Sequence, residues 1–82
     1  MDKKALRVLT VMKDDPSEEL LKSSIISFAG ESLFRLLVAA NYIIFDRTIT
    51  EDNDTDDAYK ITRKGKEAEF QGSANRFAQE VG

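Results

Sequence analysis

Tyr42-Ile43-Ile44-Phe45-Asp46-Arg47-Thr48-Ile49-Thr50-Glu51-Asp52-Asn53-Asp54-Thr55-Asp56-Asp57-Ala58-Tyr59-Lys60-Ile61-Thr62 decides the fold. Its two ends are β-branched and aromatic with an alternating pattern, and its middle is polar. That reading predicts a β-hairpin with strands around Ile43–Thr50 and Ala58–Thr62, joined by a long acidic loop. On both sides of it the apolar residues recur at helical spacing instead. The predicted order is α-α-α-β-β-α, a mainly α fold with one hairpin, in a single domain spanning 1–82.

Upstream, Ala5, Val8, Leu9 and Met12 repeat at i, i+3, i+4 and i+7, one apolar face of a first helix from about Asp2 to Lys13. Asp15-Pro16 with Glu18 three residues beyond Asp15 has the form of an N-cap followed by proline at the first helical position. A second helix is therefore expected to start at Pro16. Its end has two readings: a stop near Ser24, before the β-branched pair Ile25-Ile26, or a run to Phe28 with Gly30 as the αL residue beyond it. Glu31-Ser32 opens a third helix with Leu33, Leu36, Leu37 and Ala40 expected inward. Asn41, which tolerates a left-handed backbone, is expected to end it.

Downstream, Thr62 is a natural N-cap for a fourth helix over about 63–81. Phe70, Ala74, Phe77 and Val81 are spaced 4-3-4 along it, a heptad-like stripe expected to serve as a homodimer interface. Gly72 interrupts that helix at a cost of about 1 kcal/mol relative to alanine.

Composition narrows the function. The 82 residues contain no Cys, no His and no Trp. Disulfides, thiolate or imidazole metal sites and His-based catalytic triads are thereby excluded. No pattern positions a nucleophile, so no catalytic residue, cofactor or metal is expected and the chain does not read as an enzyme. No apolar run reaches membrane-spanning length, and Met1-Asp2-Lys3-Lys4 lacks a signal-peptide apolar stretch, which predicts a cytoplasmic protein with no membrane partner. Asp52, Asp54 and Asp56 fall at the first three ligand positions of an EF-hand-like loop. The position needing Gly is Asp57 and the twelfth is Arg63, so that motif is rejected.

The element order resembles the winged helix-turn-helix superfamily, and so do two short motifs. Leu36-Leu37-Val38-Ala39-Ala40-Asn41-Tyr42-Ile43 is similar to the end of that family's recognition helix, with Asn41 in place of Gly. Tyr59-Lys60-Ile61-Thr62-Arg63-Lys64-Gly65-Lys66-Glu67 resembles the segment leaving the wing in MarR-type and PadR-type regulators. The resemblance implies a small DNA-binding transcription regulator, homodimeric, with double-stranded DNA as partner. It implies Ser32 and Arg35 on the third helix near bases, and Arg47, Lys60, Arg63 and Lys64 on phosphates.

Charge departs from that pattern. Lys and Arg number 12 against 15 Asp and Glu, a net charge of -3, and five of the acids fall between Glu51 and Asp57. A DNA-binding wing carries cations, because phosphate neutralisation supplies most non-specific affinity. Helical rotation puts Glu31, Arg35 and Val38 outward, flanked by Ser32, Phe34 and Ala39. The alternative expectation is thus a winged-helix interaction module that meets a basic protein partner through its acidic wing or its Phe34/Val38 face.

Overall fold

The computed structural model describes the backbone of residues 1–81 and the side chains of residues 1–74. The order is α1 (Lys3–Asp14), β1 (Glu19–Leu21), α2 (Lys22–Ala29), α3 (Glu31–Ala39), β2 (Ile43–Glu51), β3 (Asp54–Ile61) and α4 (Arg63–Val81). This is a mixed α/β arrangement rather than a mainly α one. The three strands form one antiparallel sheet in the order β1-β3-β2. The arrangement is compatible with a winged-helix-like fold.

The first helix forms where its periodicity places it. The Asp2 carboxylate caps it, accepting from the Lys4 amide at 2.7 Å. Ala5, Val8, Leu9 and Met12 are all buried and meet Ile25, Phe34, Leu37, Ile43 and Ile61 in one core.

The expected second helix starts six residues late. The Asp15 carboxylate accepts from the Ser17 amide at 2.8 Å and from its hydroxyl at 2.6 Å, so it closes a turn rather than capping a helix. Glu18 then takes a left-handed φ of 59°, and Glu19–Leu21 pairs with β3, with Leu20 opposite Tyr59. A ladder partner forty residues away overrides the local proline signal. Helix α2 begins only at Lys22 and runs through the Ile25-Ile26 pair to Ala29, because Ile25 is fully inside the core. Gly30 follows with φ 91° and ψ 157°, a positive φ as expected but with extended rather than left-handed helical ψ. Only glycine adopts that conformation without strain.

Helix α3 ends as read. Asn41 sits at φ 63°, and the amides of Asn41 and Tyr42 donate to Val38 and Leu37 carbonyls at 2.9 and 3.0 Å, the paired bonds of a Schellman motif. Its inward face differs from the expectation. Phe34 and Leu37 are buried, Leu33 and Val38 pack against the core, and Leu36 is 64% exposed. The helix is rotated so that the Phe34 ring sits edge-on to Tyr59, with centroids 4.9 Å apart. Burying a phenyl ring against the sheet outweighs burying Leu36.

The hairpin is tighter than predicted. Asp52 and Asn53, at φ 49° and 68°, form a two-residue turn between Glu51 and Asp54, which are paired across it. Two positive φ angles match the type I′ turn that suits strand twist. Most of the acidic run is therefore strand, not loop. Asp46 is the extra residue of a bulge between Phe45 and Arg47.

Thr62 caps α4 as expected, its Oγ1 accepting from the Gly65 amide at 2.9 Å. The helix lies on α1 through Glu69 and Gly72, where the absence of a Cβ lets Leu6 approach. Phe70, 67% exposed, and Ala74, also exposed, point away from that contact. The side chains of Phe77 and Val81 lie outside the described residues.

Candidate nucleic-acid interface

The outward face of α3 carries Glu31, Ser32, Arg35, Leu36 and Ala39. Ser32, Arg35, Leu36 and Ala39 stand at i, i+3, i+4 and i+7, so they form one solvent-facing stripe. Arg35 donates through Nη2 to Glu31 Oε1 at 2.8 Å, and both side chains are largely exposed. The only cation expected to read bases is thus already engaged, one turn along its own helix. The exposed edge of α2 offers Ser23, Ser24, Ser27 and Phe28.

The other expected DNA-binding residues fall in two further places. Tyr59, Phe45 and Ile43 are on the sheet face that meets the helices, as the Phe34–Tyr59 and Phe45–Tyr59 ring contacts show. Strand alternation puts Lys60 on the opposite face, and the Asp46 bulge, which shifts Arg47 into register with Ala58, turns Arg47 to that same face, away from α3. There Arg47 donates to Glu19 at 3.1 Å and lies 3.8 Å from Asp46. Arg63 and Lys64 open α4 next to the α3–β2 turn. Arg63 is 3.5 Å from Glu67, and the Lys64 ammonium lies 5.8 Å from the Tyr42 ring centre. Lys66, from the same basic cluster, is paired with Glu18 at 2.6 Å. Ser32 with Arg35, Arg47 with Lys60, and Arg63 with Lys64 therefore make three separate pairs of positions, not one continuous basic track.

The acidic hairpin divides into structural and open carboxylates. Asp56 reaches across to the start of α2 and accepts from the Ser23 hydroxyl and, at 3.4 Å, from the Ser23 amide. Leu21, at the N-cap position, has no side chain able to do this, so β3 supplies the cap. The Ser23 hydrogen bond holds the Asp56 carboxyl below its ordinary value. Asp57 accepts from Thr48 Oγ1 at 3.0 Å across the hairpin. Glu51, Asp52 and Asp54 remain exposed at the tip. Phe34 and Val38, the other expected interaction face, are core-facing, and the exposed apolar residue on α3 is Leu36.

Sequence reasoning passed over Glu69, which is 2% exposed and lies between α4 and α1. Its carboxylate accepts from Lys13 Nζ at 3.0 Å and from Thr10 Oγ1 at 3.1 Å, with Ser73 Oγ at 3.4 Å. Lys13 is pushed above its ordinary pKa by that hydrogen bond, against a smaller opposing effect of burial. The i, i+4 relation of Glu69 to Ser73 was visible in the sequence, but no local pattern signals a partner on α1. Among the described residues, no cluster of acidic side chains has metal-holding geometry, and no helix is long and apolar enough to cross a membrane.

No family model matches the chain, and no curated protein or solved structure is significantly similar to it.

Proposed function

We propose that the chain is a winged-helix transcription regulator that binds double-stranded DNA, with α3 as its recognition helix and the β2–β3 hairpin as its wing. One observation carries this reading. The chain runs helix, short strand, two helices, hairpin, helix, with β3 in the middle of the sheet, and this leaves the Ser32/Arg35 stripe of α3 open to solvent. On this reading Ser32 and Arg35 approach base edges in a major groove. Arg63 and Lys64 contact phosphates near the start of α4. Arg47 and Lys60 contribute only where the duplex wraps past the edge of the sheet. A homodimer through the exposed side of α4, with Phe70 and Ala74, supplies two recognition helices for a two-fold operator. Sedimentation at high micromolar concentration tests that assembly, and a 9 kDa species would remove it.

The test is a fluorescence titration of the full chain against mixed duplex DNA at several salt concentrations. Binding whose logarithm falls linearly with the logarithm of salt supports the reading. Absence of binding at about 50 mM salt overturns it. A second reading rests on a specific observation: Leu36 is 64% exposed beside an Arg35 already neutralised by Glu31, and the wing tip is acidic. Those features suit an interaction module that docks a basic protein, and a pull-down with Leu36→Ser separates it from the first.

A further inference from the structure

Between α1, β1 and α2 lies a cleft of about 330 Å³. Buried Val8 and Ile25 form its floor, and Val11, Leu20 and Phe28 its walls. Val11 is 38% exposed and Phe28 50% exposed, so each leaves apolar surface in water at the mouth. Two polar residues complete the lining, Arg7 and Ser24. None of the ion pairs among the described residues involves Arg7. Lys3 and Lys4 precede Arg7 by one helical turn, and among the described residues no carboxylate lines the cleft. Asp14, the one acid within α1, lies a turn beyond Val11 at the opposite end, and the N-cap Asp2 carboxylate is engaged by the Lys4 amide.

We propose that this cleft binds a medium-chain aliphatic carboxylate, with its tail on the apolar lining and its head on the Arg7 guanidinium. Size, lining and charge each contribute to the assignment. A cleft of this volume is at the small end of ligand sites, which suits a chain of about eight carbons rather than a helix of a partner protein. Branched aliphatic residues dominate the lining and pack an alkyl chain, while Phe28 alone offers a ring. Arg7 is the sole charge in the lining, and a guanidinium pairs with a carboxylate through two parallel N–H···O bonds. Ser24 adds a hydroxyl donor on the α2 side. Carboxylate binding here is independent of whether α3 contacts DNA.

The full chain is titrated with hexanoate, octanoate and 1-octanol, followed by amide shifts in ¹H–¹⁵N spectra, since there is no Trp to report. Saturable shifts are expected at Val8, Val11, Ser24, Ile25 and Phe28. Octanoate binds about tenfold more tightly than hexanoate, because each buried methylene strengthens binding about fourfold at most. Octanol binds more weakly than octanoate, and Arg7→Gln removes that difference without changing octanol binding. Val11→Asn, at an exposed helical position, weakens octanoate and octanol alike. Equal affinity of the wild type for octanoate and octanol overturns the proposal, as does the absence of saturable shifts at about 10 mM octanoate. Shifts at these amides that track protein concentration without ligand also overturn it, because a second copy then covers the cleft.

Discussion

The Tyr42 carbonyl oxygen occupies the space where any residue but glycine at position 65 would carry its Cβ. The same carbonyl accepts from the Thr62 amide at 3.0 Å, and the Thr62 hydroxyl in turn caps the Gly65 amide. Ile61 closes the other side, its Cγ1 lying 2.8 Å from the same Cβ position. The turn after α3, the end of β3 and the start of α4 are thus locked at one glycine.

Gly65→Ala should therefore destabilise the fold by about 2–3 kcal/mol, even though alanine is about 1 kcal/mol better in a helix. Urea denaturation reads this as a lower midpoint at unchanged slope. Gly72→Ala provides the contrast. A Cβ there meets the tip of the Leu6 side chain at 2.9 Å, which can swing aside, so helix propensity offsets the crowding and stability changes by less than about 1 kcal/mol.

Glu69 holds α4 to α1 from a buried position. Glu69→Ala removes the acceptor for Lys13 and should cost about 1.5–3 kcal/mol, the range for hydrogen bonds to a charged group, since Lys13 keeps access to water and Thr10 keeps the Leu6 carbonyl. The Lys13 pKa is raised in the folded state. This contribution is complete below the ordinary lysine value of 10.5 and is lost as pH rises through the higher folded value. Thermal melts between neutral pH and pH 11 should show a steeper alkaline loss in the wild type than in Glu69→Ala.

Asp56 gives the opposite pH signature. Its pKa is depressed by the Ser23 hydrogen bond, so the stabilisation is present above the ordinary value of 3.8 and disappears as pH falls through the lower folded value. Ser23→Ala should lower stability at pH 7 and shrink the acid-side decline of the melting temperature. If Ser23→Ala and wild type lose stability in parallel between pH 5 and pH 2, the Ser23 hydroxyl does not bond Asp56 in solution.

The Glu31–Arg35 pair sets a prediction for DNA. Glu31→Gln frees the guanidinium and removes a carboxylate from the face that would meet phosphates. It should raise duplex affinity severalfold and steepen the salt dependence by up to about one unit. Arg35→Ala should weaken binding and relax sequence preference.

Acids of the hairpin should separate by position. Replacing Glu51, Asp52 and Asp54 by their amides relieves repulsion of phosphate and leaves the melting temperature nearly unchanged. Asp56→Ala instead lowers it through the lost α2 cap. A variant set in which all four substitutions have equal effects on stability would falsify this division.

Where neighbours in sequence settle the geometry, the residues alone determined the outcome. The apolar repeat of α1 was legible because a helix places Ala5, Val8, Leu9 and Met12 on one side regardless of what they meet. The ends of α3 and the start of α4 were legible for a similar reason, since Asn41 and Thr62 act on backbone groups within a few residues. The tertiary structure decided what depends on distant partners. Asp15-Pro16 has helix-starting chemistry, yet β3 captured Glu19–Leu21 and moved the helix to Lys22. Rotation of α3 followed from the Tyr59 ring, which put Phe34 inside and Leu36 outside. The same holds for the candidate interface. Helical spacing alone placed Arg35 outward, but pairing with β3 decided the rest: alternation turned Lys60 away, and the register shift at Asp46 turned Arg47, two residues after inward-facing Phe45, to the same far face.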